Sequence, residues 1–251
     1  MQKIVFITGV FGGIGYETAK FLNKNDWIVI GIDRFQGKDS EKAIDKFFHM
    51  DCSKSESVSV VKDYISKEYN RLDCLVNNAA VQVCKSIDDT SEEDWDMVFQ
   101  SNIRANFLYI KSLHDLLKAA KGSVVNISSV HAMATSKDIS AYAASKGAIL
   151  AFTRSTALEF AADGIRVNAV LPGAVDTNML KAGLERGNFG GESIEKRIEN
   201  LGMKSPGGRV GQPEEIAKAI YFLGDNSWSS FVTGQSLVAD GGVLAQLSSE
   251  T

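Results

Sequence analysis

Ser129, Tyr142 and Lys146 stand thirteen and then four positions apart. A four-residue step puts Tyr142 and Lys146 on one face of a helix, and residues 143–148 carry enough alanine to support one. A free phenol titrates near pH 10, to about a unit. An ammonium beside it favours the phenolate, because opposite charge stabilises the ionised form. A phenol brought toward neutrality can exchange a proton with an alcohol or a carbonyl. A hydroxyl such as that of Ser129 can hold a substrate oxygen without moving charge. This set suits redox chemistry at a C–OH/C=O centre, provided that a hydride carrier lies alongside.

The amino-terminal region supplies the elements that would position such a carrier. Residues 4–7 (Ile-Val-Phe-Ile) form a short apolar run that reads as a buried strand. Thr8-Gly9-Val10-Phe11-Gly12-Gly13-Ile14-Gly15 follows, and then a helical stretch. Strand, glycine turn and helix form a dinucleotide-binding arrangement. Gly9 and Gly13 let the backbone turn and approach a pyrophosphate, Gly15 lets helix and strand pack closely, and the helix amino end favours negative phosphates. A second strand-like run, 27–32, leads into Asp33, eighteen residues past Gly15. A carboxylate there accepts hydrogen bonds from ribose hydroxyls and repels a 2′-phosphate, which predicts NAD over NADP. Arg34 next to it could instead pair with a phosphate, whereas Gly12 is not a basic residue.

Together these residues resemble the short-chain dehydrogenase/reductase family. The pattern is Thr-Gly-x-x-x-Gly-Ile-Gly at 8–15, Asn-Asn-Ala-Ala at 77–80, Asn102, Ser129, Tyr-x-x-x-Lys at 142–146 and Pro172-Gly173, in register over nearly the whole chain. Ala80 departs from the glycine that is commoner in the family. The resemblance implies an α/β fold, a Rossmann-type doubly wound, mostly parallel seven-stranded sheet with helices on both faces. It implies a secondary-alcohol/ketone oxidoreductase using NAD, or NADP, with Tyr142 as general acid/base and Ser129, rather than Ser128, orienting the substrate oxygen. Lys146 would contact the nicotinamide ribose and depress the tyrosine pKa. Asn102 would interrupt its helix and hold a water that connects Lys146 to solvent. Ile14 would offer its N–H to phosphate, and Asp51 and Cys52 would lie at the adenine, although Asp51 could instead cap a helix. Backbone of Asn78 and Ala79 would lie against the adenosine ribose, with Asn77 structural. The Val175 backbone and the Thr177 hydroxyl would hold the carboxamide. Gln82 and His131 could face the substrate, which would suit a sugar or polyol; an exposed histidine is the plainer account of His131. Two alternatives stand beside this: a 3-oxoacyl-(acyl-carrier-protein) reductase using NADPH, and a catalytically silent NAD-binding scaffold or redox sensor.

Composition narrows the setting. The net charge of −4 leaves no basic footprint for nucleic acid, and no apolar run reaches the ~20 residues that span a bilayer. The first strand begins almost at Met1, so no signal peptide is expected. Cys52, Cys74 and Cys84 form neither a disulfide framework nor a Cys-x-x-Cys site, which fits a reducing cytoplasm. No two of the three histidines share a metal-ligand spacing, so no catalytic metal is expected.

Strand-like runs at 4–7, 27–32, 46–50, 72–76, 123–127, 165–171 and 236–239 alternate with helical stretches at 13–24, 54–69, 92–119, 140–162 and 212–223. This rhythm predicts a parallel sheet in a single domain over 1–251. From about 180 to 211 glycine recurs among charged residues, and this irregular stretch reads as a mobile substrate flap. Phe99, Phe107, Tyr109, Leu150 and Phe152 give the stretches 92–119 and 140–162 apolar positions beyond one core face. By resemblance these helices pair between subunits of a homotetramer, with the apolar tail serving a second interface.

Overall fold

β1 (Lys3–Thr8) is short because Gly9 follows it, and its side chains alternate between two buried faces. Ile4 and Phe6 join one apolar cluster and Val5 and Ile7 the other, the two-residue period of a strand covered on both sides. In the computed structural model, which describes residues 2–39, 42–185 and 191–247, β1 is an interior strand of a seven-stranded sheet. The other strands are β2 (Trp27–Asp33), β3 (Lys46–His49), β4 (Cys74–Asn77), β5 (Ser123–Ile127), β6 (Arg166–Pro172) and β7 (Ser236–Ala239). Their order is β3-β2-β1-β4-β5-β6-β7, and each pairing is parallel. The chain winds outward from β1 in one direction to β3, then returns to place β4 on its other side. Such a reversal opens a crevice at the carboxyl ends of the strands.

α1 (Gly13–Lys24) and α8 (Pro213–Gly224) cover one face, through Ala19, Leu22, Ile216, Ile220 and Leu223. α2 (Ser55–Glu68), α4 (Ala105–Ala120) and α5 (Ser140–Phe160) cover the other, through Val58, Val61, Ile65, Leu113, Leu117 and Ala157. Tyr109 differs from its expected place on an intersubunit face. It is fully buried, with its ring centroid 5.1 Å from that of Phe6.

The stretch 92–119 is not one α-helix. α3 (Glu92–Phe99) starts at a capping box made by Ser91 and Asp94, gives way to a π turn over Gln100–Arg104, and resumes as α4. Asn102 sits in that turn, as the resemblance implies, and is fully buried.

The region around 180–211 is more regular than its glycines suggest. α6 (Asn178–Glu185) and α7 (Ile194–Gly202) lie in it, and α7 is capped by the Ser193 hydroxyl accepting from Lys196 N–H. The apolar residues Leu180, Leu184, Ile194, Ile198 and Leu201 recur at helical spacing, and this outweighs the intervening glycines. Residues 186–190 of the expected flap lie outside the described residues. α9 (Asn226–Ser229) is a single turn after α8. Among the described residues no helix is long and apolar enough to cross a membrane.

Candidate active site

The glycine turn is built by exclusion of side chains. Gly9 adopts φ +65°, a left-handed conformation open to glycine, and a Cβ there would lie 2.8 Å from Ala79 Cα. A Cβ on Gly13 would lie 2.8 Å from Thr177 Cγ2, and one on Gly15 would strike the Gly9 carbonyl oxygen. Asn78 and Ala79 pin the turn from β4. The Asn78 side chain donates to the Thr8 and Gly9 carbonyls (3.1 and 2.9 Å), and both backbone N–H groups donate to Thr8 Oγ1 (3.0 and 3.1 Å). Gly12 caps α1 without a side chain. A helix amino end of this kind, opened by absent Cβ atoms, fits a pyrophosphate.

Asp33 lies at the end of β2 against this turn. Its Oδ2 accepts from Phe11 N–H and its Oδ1 from Phe35 N–H, each at 3.0 Å. The carboxylate therefore organises the glycine turn, and two of its roughly four acceptor positions are already used. Arg34 is exposed, with its guanidinium carbon 4.9 Å from the Phe35 ring centroid. Arg34, Asp51, Ser53, Lys54, Gln100 and Ser101 line one cleft. Asp51 does not cap α2, whose cap is Lys54; its Oδ1 accepts from Ser53 N–H at 2.9 Å in a local turn. The Cys52 thiol is pushed up to about 12, by burial and then by Asp51 and Asp33, which keeps it a thiol.

The Ser–Tyr–Lys group gathers where β5 meets α5. Tyr142 and Lys146 share the buried face of α5, and Lys146 Nζ lies 5.4 Å from the Tyr142 ring centroid. Ser129 follows β5, and its hydroxyl favours the ionised form of the phenol. The same Oγ accepts from His131 N–H at 3.2 Å, which holds the turn Val130–Ala132. The Ser128 hydroxyl instead donates to the Lys146 carbonyl at 2.8 Å.

The electrostatics differ from the sequence-based expectation. Burial pushes the Tyr142 phenol up to about 12, against the downward pull of Ser129, with Cys84 adding a smaller upward push. Burial pulls the Lys146 amine down to about 7. Its Nζ donates to the Ile127 carbonyl at 2.7 Å, a partner that leaves the cost of burying a charge largely uncompensated. The protein's own groups therefore do not acidify the phenol, because desolvation at both sites exceeds their attraction.

This has a measurable consequence for stability. Below about pH 7 Lys146 is charged in both folded and unfolded protein and contributes no slope. Between about 7 and the ordinary 10.5 the unfolded chain holds more proton. The folded state thus gains stability as pH rises through that window and loses it as pH falls back toward 7. Cys52 and Cys74, raised from 9 to about 12, oppose this only above pH 9. Lys146→Met is expected to stabilise the fold by on the order of 4 kcal/mol at pH 7 and about half that at pH 9. Parallel denaturant titrations of variant and parent at the two pH values check this; a pH-independent difference contradicts it.

The Asn102 side chain bonds protein groups on both sides. Oδ1 accepts from Val81 N–H (2.8 Å), while Nδ2 donates to the Val81 carbonyl and to Ser145 Oγ (3.0 Å each). Ser145 in turn donates to the Tyr142 carbonyl at 2.7 Å. This fully buried serine, which joins the π turn to the catalytic helix, escaped sequence reading. Its signal was the Ser-Lys step at 145–146, which carries no chemistry by itself.

Beyond β6, Pro172 ends the strand, and a Cβ on Gly173 would lie 2.8 Å from Asp240 Cα. Val175 is buried and bridges to Gly211. The Thr177 hydroxyl accepts from Leu180 N–H at 3.2 Å at the start of α6 and donates to the Val175 carbonyl at 3.3 Å. Two of the atoms expected at a carboxamide thus already bond each other. His131 is half-buried and lies edge-on to Tyr142 with centroids 6.0 Å apart, its Nδ1 2.9 Å from Thr135 Oγ1. Gln82 is also half-buried, with Nε2 3.0 Å from Cys84 Sγ.

Switch-point crevice, side-chain-free turn and buried phenol together define an oxidoreductase that uses a nicotinamide dinucleotide. Comparison with known proteins places it more narrowly. A family model described as enoyl-(acyl carrier protein) reductase matches residues 9–244. Cyclopentanol dehydrogenase of Comamonas sp. (strain NCIMB 9872) is 33% identical over 253 residues, covering 97% of this chain and 98% of that protein. A 3-oxoacyl-(acyl-carrier-protein) reductase of Chlamydia trachomatis is also 33% identical, with 97% and 98% covered. The ligand-free structure of Thermoplasma acidophilum aldohexose dehydrogenase superposes with a TM-score of 0.91 at 32% identity, covering 98% of this chain and 95% of that one. The chain belongs to the short-chain dehydrogenase/reductase family. It is an NAD(P)-dependent oxidoreductase that interconverts a secondary alcohol and a ketone.

Proposed function

We propose that this protein is an NAD-preferring dehydrogenase of a polar, hydroxylated secondary alcohol such as a sugar or polyol. The observation that carries the reading is the convergence of Ser129, Tyr142 and Lys146 at the mouth of the crevice. A bound nicotinamide dinucleotide supplies the hydride acceptor and, in reverse, the donor. In reduction the Tyr142 phenol would give its proton to the carbonyl oxygen; in oxidation its phenolate, favoured by the positive charge of a bound oxidised nicotinamide, would take the alcohol proton, while Ser129 orients the substrate oxygen. Lys146, poised near neutrality, would exchange a proton close to the phenol and help hold the nicotinamide ribose. Asn102 fixes the loop at Val81 and, through Ser145, the helix that carries both groups. Asp33 receives the ribose hydroxyls with its remaining lone pairs.

His131 and Gln82, half-buried beside the phenol and the loop after β4, support a substrate with further hydroxyls. The aldohexose dehydrogenase similarity agrees with that class. Arg34 and Lys54 in one cleft favour the second reading, a 3-oxoacyl-(acyl-carrier-protein) reductase using NADPH, since both could pair with a 2′-phosphate. A panel of sugars, polyols and acyl thioesters, assayed with both cofactors, separates the two. The NAD reading expects kcat/KM for NADH to exceed that for NADPH; the opposite order refutes it. In this proposal the protein works in the cytoplasm as a homotetramer. Exposed Phe107 on α4, Leu158 on α5, and Leu237 and Val238 on the edge strand β7 suit its interfaces.

A further inference from the structure

The π turn over Gln100–Arg104 is fastened on two sides, and the fastenings lead to different parts of the site. The turn closes through Ala105 N–H donating to the Gln100 carbonyl, and so takes in one residue more than an α-turn. Straightening it into plain α-helix would rotate α3 by about 100° against α4, the angle of one residue. Val98 of α3 packs with Ala141, the neighbour of Tyr142, and that contact would be lost. Toward Tyr142 the turn is held by Asn102, whose Nδ2 donates to Ser145 Oγ at 3.0 Å; Ser145 donates in turn to the Tyr142 carbonyl at 2.7 Å. The second fastening is Arg104. Its Nη1 donates to the Ser53 carbonyl at 3.0 Å, across fifty-one residues of chain. Ser53 is buried in a compact turn after β3. There its N–H donates to Asp51 Oδ1 at 2.9 Å, and the Ser57 hydroxyl donates to the Asp51 carbonyl at 2.7 Å. Asp51, Ser53 and Lys54 of that turn line one cleft with Gln100 and Ser101 of the π turn. Arg104 thus ties together the two elements that shape this cleft.

We propose that Arg104 is a positioning residue of the reaction. It fixes the π turn to the loop after β3, so that one piece of backbone sets both the adenosine cleft and the helix bearing Tyr142. Neither the guanidinium nor the Ser53 carbonyl carries a proton or a hydride. With the tie in place, binding energy from the adenosine end is spent on aligning the phenol, and the chemical step is sensitive to such alignment. The inference rests on the dinucleotide-dependent dehydrogenase reading above and deepens it by naming a residue that links the two ends of the site.

The test uses the intact enzyme, its best alcohol from the panel above, and AMP as a probe of the adenosine end alone. Arg104 is exposed, so Arg104→Met should fold. It is expected to lower kcat about tenfold, with KM for the alcohol and the Kd of AMP within about twofold of the parent. Arg104→Lys keeps a donor and should recover most of the loss. Ser145→Ala cuts the other fastening. Because both act through one turn, the double variant should be hardly slower than the slower single variant. Independently of turnover, AMP should slow amide hydrogen exchange in the peptide bearing Tyr142 in the parent, and not in Arg104→Met. A kcat of Arg104→Met within twofold of the parent overturns the proposal while the dehydrogenase reading stands. So do losses that multiply in the double variant, or AMP protection that survives Arg104→Met. Absence of turnover on every alcohol overturns that reading and the positioning role with it.

Discussion

Tyr142→Phe is expected to lower kcat by about a thousandfold, within the range that a positioned general acid/base contributes. The affinity for NADH should stay within about twofold of the parent, since a uniform-binding loss is not what the hydroxyl supplies. The replacement keeps the ring, so its burial and its edge contact with His131 persist. It removes the hydroxyl that would carry the alcohol proton beside Ser129. Stopped-flow turnover with saturating cofactor and fluorescence titration of NADH measure the two quantities separately. Near-parental turnover would remove Tyr142 from the mechanism. A loss confined to KM would instead make it a substrate-binding group.

Gly15→Ala should disable the cofactor site without touching a catalytic group. The added Cβ would strike the Gly9 carbonyl oxygen and lie 2.7 Å from Asn78 Nδ2. Neither can move aside cheaply. Gly9 is held by its own N–H bond to Ile32 O at 2.8 Å, and the Asn78 amide is held by the Thr8 and Gly9 carbonyls. Relief must come from shifting α1 off β1 or from opening the turn. The expected result is a loss of about 3 kcal/mol in stability, as for overpacking of a close contact, and a drop in NADH affinity of at least about a hundredfold, since the pyrophosphate seat is the part displaced. Gly147→Ala is the matched control. It lies within α5, and its Cβ would meet nothing within 4 Å, so it should gain about 0.5–1 kcal/mol from helix propensity. A thermal melt and an NADH titration of both variants decide the point; equal behaviour of the two would show that the close approach at Gly15 is not what holds the turn.

The strands were legible because each is bounded by a chemical signal. Gly9 closes β1, Asp33 closes β2, and the alternation in Ile4 to Ile7 already assigns side chains to two faces. The Tyr142–Lys146 pair was legible because four residues of helix bring two side chains together without any tertiary knowledge. What stayed hidden depends on distant chain. Asn102 reads as a weak helix former, but its bonds to Val81 and Ser145 span twenty-one and forty-three residues. The depth that drives Lys146 toward neutrality is set by β5 and α5 closing over it, and no local spacing encodes it. The helices α6 and α7 were missed because glycines and charges mask apolar positions that matter only once the segment lies against the crevice.

The all-parallel sheet has a cost in time. The interior strand β1 precedes the other strands in the chain, yet its partner β4 lies far along: Asn78 reaches Thr8 across seventy residues. Until that neighbour is made, Ile4 to Ile7 have only β2 to shelter them. Parallel pairings of this separation form late and slowly, so the nascent polypeptide presents a bare hydrophobic strand for the seconds its synthesis takes. Chaperone dependence during expression, more than poor final stability, is the vulnerability that this topology brings.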